Sequence, residues 1–207
     1  MTMAEEYIST RGLAVARGGS GERLVVLLHG LGANRMVWSR MIEIADKHWD
    51  GRWMAPDLRG HGHSVMQGPY GYATQAADIA ELIADEKPGS VTLVGHSMGG
   101  VVAALVGTGW YGLQVAEVAA FGVKLVWTSE EEVKARDLAE RPARVFATRA
   151  EAIDRFLKVS GLIGLVDPSS ETASYGITGS EGQWQIAMDP RCFGCVGPSI
   201  PKLLKLS

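Results

Sequence analysis

The 207-residue sequence contains only two cysteines, Cys192 and Cys195, too few for a disulfide framework. It lacks a basic, apolar leader, because its first ten residues, MTMAEEYIST, are polar and mildly acidic. No stretch reaches the ~18–20 uninterrupted apolar residues of a membrane span. These absences predict a soluble, cytoplasmic protein with no membrane partner. Charge of one sign is not in excess either: 20 Lys and Arg face 23 Asp and Glu, a net of −3. That balance removes nucleic acid as an expected partner. A hydrophobic share of 46% with 21% charged residues excludes disorder and a coiled coil. Glycine, by contrast, is abundant. Its 26 residues amount to about 13% of the chain, near twice the usual ~7%, which implies many tight turns and close backbone approaches.

Along the chain, residues 7–17 alternate weakly and lead into GGSGE at 18–22, which reads as a hairpin turn. The run Leu24, Val25, Val26, Leu27, Leu28 is continuous and apolar, as in a parallel strand buried on both faces. Residues 36–47 show helical spacing through Val37, Met41, Ile44 and Ala45. A short strand at 52–55, a helix over 72–86, a strand at 91–94, a small-residue helix over 98–109 and a strand within 115–127 follow. This alternation predicts an α/β fold with a doubly wound, mostly parallel sheet. After residue 127 the pattern changes to charged amphipathic helices, with capping boxes expected at Ser129/Glu132 and Thr148/Glu151. Residues 161–200 are rich in Gly, Pro and Ser and only weakly patterned.

One motif carries chemistry. Gly95-His96-Ser97-Met98-Gly99 is a G-x-S-x-G set between a buried strand and a helix. A serine on so sharp a turn presses the positions two before and two after it against neighbouring backbone, where only glycine fits. The turn lifts the hydroxyl clear of the sheet and places it at a helix N-terminus, whose free N–H groups can receive an oxyanion. Two further segments, HGLG at 29–32 and APDLRGHGHS at 55–64, follow the preceding strands.

In order and spacing, HGLG, RGHG and GHSMGG resemble the α/β-hydrolase superfamily, in its branch of serine esterases, lactonases and cofactor-free haloperoxidases. The resemblance is strong over residues 10–127. It implies an α/β-hydrolase core over 1–127, a helical cap over 128–200, and a return to the core beginning at 201–207. It further implies Ser97 as nucleophile and the backbone N–H groups of Leu31 and Met98 as oxyanion hole. Asp57, Arg59, Gly60 and Gly62 match a loop that is structural in the family. A serine rather than an aspartate at the elbow implies acyl transfer to water through an acyl-enzyme. The substrate expected is a small acyl compound (a carboxylic ester, lactone or thioester), with no cofactor and no metal.

The family order places an acid and then a histidine after the serine. Here the five histidines, His29, His48, His61, His63 and His96, all precede Ser97. The pattern of the family continues past PSIPKLLKLS into two further strands, so the chain reads as a C-terminally shortened form with impaired catalysis. The alternative is a homologue that binds a ligand or partner without turning it over.

None of the remaining candidates replaces the base. His96 adjoins Ser97, but neighbouring side chains at an elbow point apart. His61 and His63 lack a third metal ligand, His29 reads as a hydrogen-bonder behind the oxyanion loop, and His48 ends a helix. Cys192 and Cys195 form a lone C-x-x-C without redox or zinc context. Glu130, Glu131 and Glu132 read as a helix start. Trp110, Trp127 and Trp184 are core residues or the lining of an acyl pocket. The apolar run through Val115, Val118, Phe121, Val123, Leu125 and Val126 is expected to lie at an open sheet edge and to drive self-association.

Overall fold

The structure is a computed structural model that describes residues 5–195. Its centre is a six-stranded sheet built from β1 (Glu5–Ile8), β2 (Ala14–Gly19), β3 (Arg23–Leu28), β4 (Arg52–Pro56), β5 (Ser90–His96) and β6 (Glu117–Phe121). The strand order is β1-β2-β4-β3-β5-β6, antiparallel at β1/β2 and β2/β4 and parallel from β4 to β6.

The central strand β3 shows why its run has no polar alternation. Leu24, Val26 and Leu28 pack with α2 (Tyr72–Glu86) and α3 (Met98–Gly107) on one face. Val25 and Leu27 pack on the other face with Trp38, Trp53 and the partly buried Ile42 and Ala45 of α1 (Ser39–His48). With helices on both faces, the strand has no solvent side. The doubly wound sheet expected from the sequence is therefore present.

Residues 128–195 form a second layer of structure with a small core of its own. It contains α4 (Ser129–Ala139), α5 (Arg149–Ser160), α6 (Glu171–Tyr175), a hairpin of β7 (Ile177–Thr178) with β8 (Gln185–Ile186), and a 3-10 turn at Pro190–Gly194. Phe146, Ile153, Phe156 and Leu157 fill that core. Each large apolar side chain buried this way is worth roughly 1.5–3 kcal/mol. Two ties fasten the layer to the sheet's loops. The Gly62 N–H donates to the Ala187 carbonyl (2.8 Å) and the Asp189 N–H to the Gly60 carbonyl (2.9 Å).

Four local expectations are corrected. GGSGE is not a hairpin, because β2 pairs with β4 and not with β3. The hairpin lies one connection earlier, where the Ser9 N–H donates to the Leu13 carbonyl (2.8 Å) between β1 and β2. The first residue pair named for a capping box is shifted by one. Thr128, not Ser129, caps α4 and exchanges bonds with Glu131, while Thr148 and Glu151 cap α5 as expected. On α1, Met41 and Ile44 face solvent, and Ile42 and Ala45 pack on the sheet. The weakly patterned stretch from residue 161 holds α6 and the β7–β8 hairpin as well as loop.

Strand β6 closes the sheet's order on one side, and all five of its residues are exposed. Leu125 and Val126 beyond it are exposed as well. Among the described residues no helix is long and apolar enough to cross a membrane. Residues 196–207, which include the expected return to the core at 201–207, lie outside the described region.

Candidate active site

Ser97 stands between the end of β5 and the first residue of α3, at φ 51° and ψ −115°. A non-glycine residue with positive φ is sterically costly and persists only where its surroundings hold it. Here they do. The Ser97 N–H donates to the Phe121 carbonyl at the end of β6 (2.9 Å), and the Val101 N–H donates to the Ser97 carbonyl (3.2 Å). The two motif glycines are sites of close approach. A Cβ on Gly95 would overlap the Gly99 carbonyl, and one on Gly99 would overlap the Leu28 and His29 carbonyls of the neighbouring strand and its following loop. The G-x-S-x-G spacing is thus enforced by backbone-to-backbone contact across the turn and with β3.

The amides of Leu31 and Met98 are available. Met98 is the first residue of α3, so its N–H has no partner within the helix. Leu31 lies inside the turn closed by the Ala33 N–H and the Gly30 carbonyl (3.1 Å), a turn that does not use the Leu31 amide. Both residues and Ser97 line one cavity of about 160 Å³. Its other walls are Tyr72 and Val101 from the helices, Lys124 and Trp127 after β6, and Phe193 and Cys195. Ser97 itself is only partly exposed. The Lys124 ammonium lies 4.6 Å from the Trp127 ring centroid and pairs with Glu131, so it is tied to the start of α4.

No histidine among the described residues hydrogen-bonds to Ser97. His29 is fully buried, its Nε2 accepting from the Leu58 N–H (2.9 Å) and its Nδ1 standing 2.8 Å from the Gly30 carbonyl. Since Nε2 accepts, the ring proton sits on Nδ1 and donates to Gly30, which braces the turn at 30–33 from behind. Burial pushes its pKa down to about 4. His61 is buried edge-on to His29 with ring centroids 5.2 Å apart, and burial takes it down to about 3. Its Nε2 has no partner among the described residues. The His96 ring is held between Gly30 and Gly122, where a Cβ on either would come within 2.9 Å of it, and it packs on Phe121. His63 is exposed and stacks on Tyr175 at 4.1 Å; His48 is the last residue of α1.

Asp57 is buried and its carboxylate is filled. It accepts from the Arg35 N–H (2.7 Å), Arg35 Nη1 (3.2 Å), the His63 N–H (3.0 Å) and the Tyr175 hydroxyl (2.7 Å). It thereby locks the segment after the turn at 30–33 to the 57–64 loop and to the end of α6. Arg59 likewise grips buried Asp78 through Nε (2.7 Å) and Nη2 (2.9 Å).

Both cysteines are free thiols. Burial raises the pKa of each, Cys195 to about 12, and Cys195 Sγ lies 2.8 Å from the Tyr70 carbonyl. No cluster of three or more His, Cys, Asp or Glu side chains suited to a metal occurs among the described residues. Of the tryptophans, Trp127 lines the Ser97 cavity and Trp184 packs against the small core of the second layer. Trp110 does neither, being 67% exposed, so its expected role in a core or pocket is corrected. Sequence reasoning missed Tyr72, Lys124 and Phe193 as cavity walls. Lys124 carried a signal, because it follows the carboxyl end of a parallel strand. Phe193 carried none, since only the tertiary return of the chain brings it there.

Comparison with known proteins agrees with this architecture. The sequence pattern of the alpha/beta hydrolase family matches residues 25–195. A lipase, LipV, of Mycobacterium tuberculosis is 35% identical over 92 residues, 42% of this chain and 32% of the lipase. A pimeloyl-[acyl-carrier protein] methyl ester esterase of Yersinia pseudotuberculosis is 39% identical over 88 residues, 42% of this chain and 32% of the esterase. The matched segments therefore span about a third of these relatives. Among solved structures, E-2-(acetamidomethylene)succinate hydrolase superposes with a TM-score of 0.73 at 21% identity, over 94% of this chain and 72% of the other. The thioesterase domain from the curacin biosynthetic pathway superposes with 0.73 at 20% identity, over 100% of this chain and 79% of the other. At such identities the superpositions speak for the fold alone.

Proposed function

Because the chain belongs to the alpha/beta hydrolase family, we propose that Ser97 is the nucleophile of an acyl-transfer site for a small carboxylic ester, lactone or thioester. The observation that carries this reading is the strained Ser97 backbone, held at φ 51° between two glycines that tolerate no Cβ. Strain of that kind at the carboxyl ends of parallel strands exposes one hydroxyl to a cavity and costs stability elsewhere. In the proposed reaction Ser97 Oγ adds to the acyl carbon. The carbonyl oxygen becomes an oxyanion and accepts from the Leu31 and Met98 N–H groups. Collapse expels the alcohol or thiol and leaves the acyl group on Oγ, from which water removes it as a carboxylic acid. Residues 128–200 act in this reading as a cap over the 1–127 core, a role supported by Phe193 and Cys195 in the cavity wall.

The proton on Oγ needs an acceptor, and no histidine follows Ser97 in the 207 residues. Oxyanion donors without a base sustain only a residual rate. The 207-residue polypeptide is therefore proposed to be a slow hydrolase. The contrasting reading, a ligand-binding homologue without turnover, draws on the fact that no described histidine hydrogen-bonds to Ser97. Hydrolysis of p-nitrophenyl butyrate separates the two readings. A slow turnover abolished in Ser97→Ala supports the hydrolase. A background rate equal in both proteins leaves the binding homologue.

A further inference from the structure

Behind Phe193, on the side away from Ser97, lies a second cavity of about 190 Å³. Phe193 lines both cavities, which places them next to each other. The second cavity has an apolar floor that includes Phe146 and Met188, and its rim carries Arg141, Arg144 and Arg155 with no acidic side chain in its lining. None of the three arginines makes an ion pair with a carboxylate among the described residues, whereas Arg136 and Arg191 nearby are paired with Glu132 and Asp189. Arg144 lies with its guanidinium 4.9 Å from the Phe146 ring centroid, which braces it at the rim. Arg144 and Arg155 also line an adjoining groove together with Glu151 and Asp154, but Glu151 caps α5 and Asp154 binds Lys158 at 2.6 Å.

Three arginines without an ion-pair partner line one small, largely apolar cavity, and their like charges favour an anion there. Guanidinium forks match the paired oxygens of a phosphate group. The enclosed floor adds a requirement for an aliphatic stem next to the charge, which a bare inorganic ion does not satisfy. We propose that this cavity is a subsite for the phosphate group of an amphipathic acyl substrate, whose acyl end passes Phe193 to reach Ser97. The proposal rests on the Ser97 reading for the acyl end, while the phosphate subsite stands on its own geometry.

The test uses the full chain carrying Ser97→Ala, which cannot be acylated, and isothermal titration at low ionic strength. The ligands are 6-(butyryloxy)hexyl phosphate, its phosphate-free counterpart hexyl butyrate, and inorganic phosphate. The phosphorylated ester is expected to bind at least about tenfold more tightly than either of the others, with the advantage falling as salt rises. Replacing two of the three rim arginines (Arg141→Gln with Arg155→Gln) is expected to remove most of that advantage. Both side chains lie outside the cores, so an unchanged circular dichroism spectrum confirms that the variant folds. Equal binding of the phosphorylated and phosphate-free esters, or an advantage largely intact after the double replacement, overturns the proposal. Failure of Ser97 to act as nucleophile shows instead in the hydrolysis of p-nitrophenyl butyrate, which these titrations do not involve, so the two failures are separable.

Discussion

At the scale of single residues, the site is built by exclusion as much as by attraction. Gly95 and Gly99 admit the Ser97 turn because they bring nothing to their contacts, and His29 is kept neutral so that it can accept from Leu58 and donate to Gly30 at once. That neutrality has a pH consequence. His29 and His61 have folded pKa values near 4 and 3, below the 6.5 of an unfolded histidine. A group depressed by folding contributes stability that is complete above its unfolded pKa and is lost as pH falls toward the folded value. Between pH 6.5 and about 5 the unfolded chain takes up protons that the folded chain refuses, while unfolded carboxylates, with pKa values near 4, are still mostly ionised. Each buried histidine is expected to cost about 2 kcal/mol by pH 5. Urea midpoints measured at pH 7.5, 6.0 and 5.0 check this. A steady fall across the series is expected, and a flat series shows that the two rings are reached by solvent.

At the level of elements, the chain is legible where burial and backbone geometry repeat locally and is not where partners are distant. The helix at 72–86 and the strand around 91–94 were legible because periodicity and the KPG stop are written in adjacent residues. The elbow was legible for the same reason, since its two glycines answer to contacts that recur wherever a strand turns sharply into a helix. GGSGE misled because a glycine-rich turn states that the chain bends and not which strand it will pair with; β2 chooses β4 across a long connection. The β7–β8 hairpin, with strands of two residues each, is too short for any alternation to register. The cavity wall at Phe193 was invisible for want of any local signal.

The cap of α4 gives a sharp discrimination at this scale. Thr128 accepts from the Glu131 N–H (3.2 Å) while Glu131 Oε2 accepts from the Thr128 N–H (3.0 Å). Thr128→Ala is expected to cost about 1 kcal/mol and Ser129→Ala close to nothing. Amide exchange in the first turn of α4 reads the difference, and equal effects of the two replacements would place the helix start one residue later.

At the scale of the whole molecule, two features stand in tension. The core layers are closed on both faces of β3, yet β6 presents five exposed residues along an edge that no strand among the described residues pairs, with Phe121 half exposed. An edge of that kind is a template for a further strand. Residues 190–195 do not cover it, since the 3-10 turn there packs on α4 and Tyr70, and 196–207 lie outside the described region. We propose that the polypeptide self-associates at micromolar concentration through β6, and that Ala119→Lys shifts sedimentation toward the monomer. A monodisperse monomer with a sharp cooperative melt in the unsubstituted protein contradicts this.

We propose that the fold presents Ser97 as an acyl acceptor and that the 207 residues supply no base for its proton. The most direct measurement is the rate at which a fluorophosphonate modifies the 207-residue polypeptide, followed by intact mass and peptide mapping, with and without added imidazole. The expected result is slow modification confined to Ser97, accelerated by imidazole as a substitute proton acceptor and absent in Ser97→Ala. Rapid stoichiometric labelling without imidazole would reveal a base among the 207 residues, and an unmodified Ser97 in the presence of imidazole would contradict its role as nucleophile.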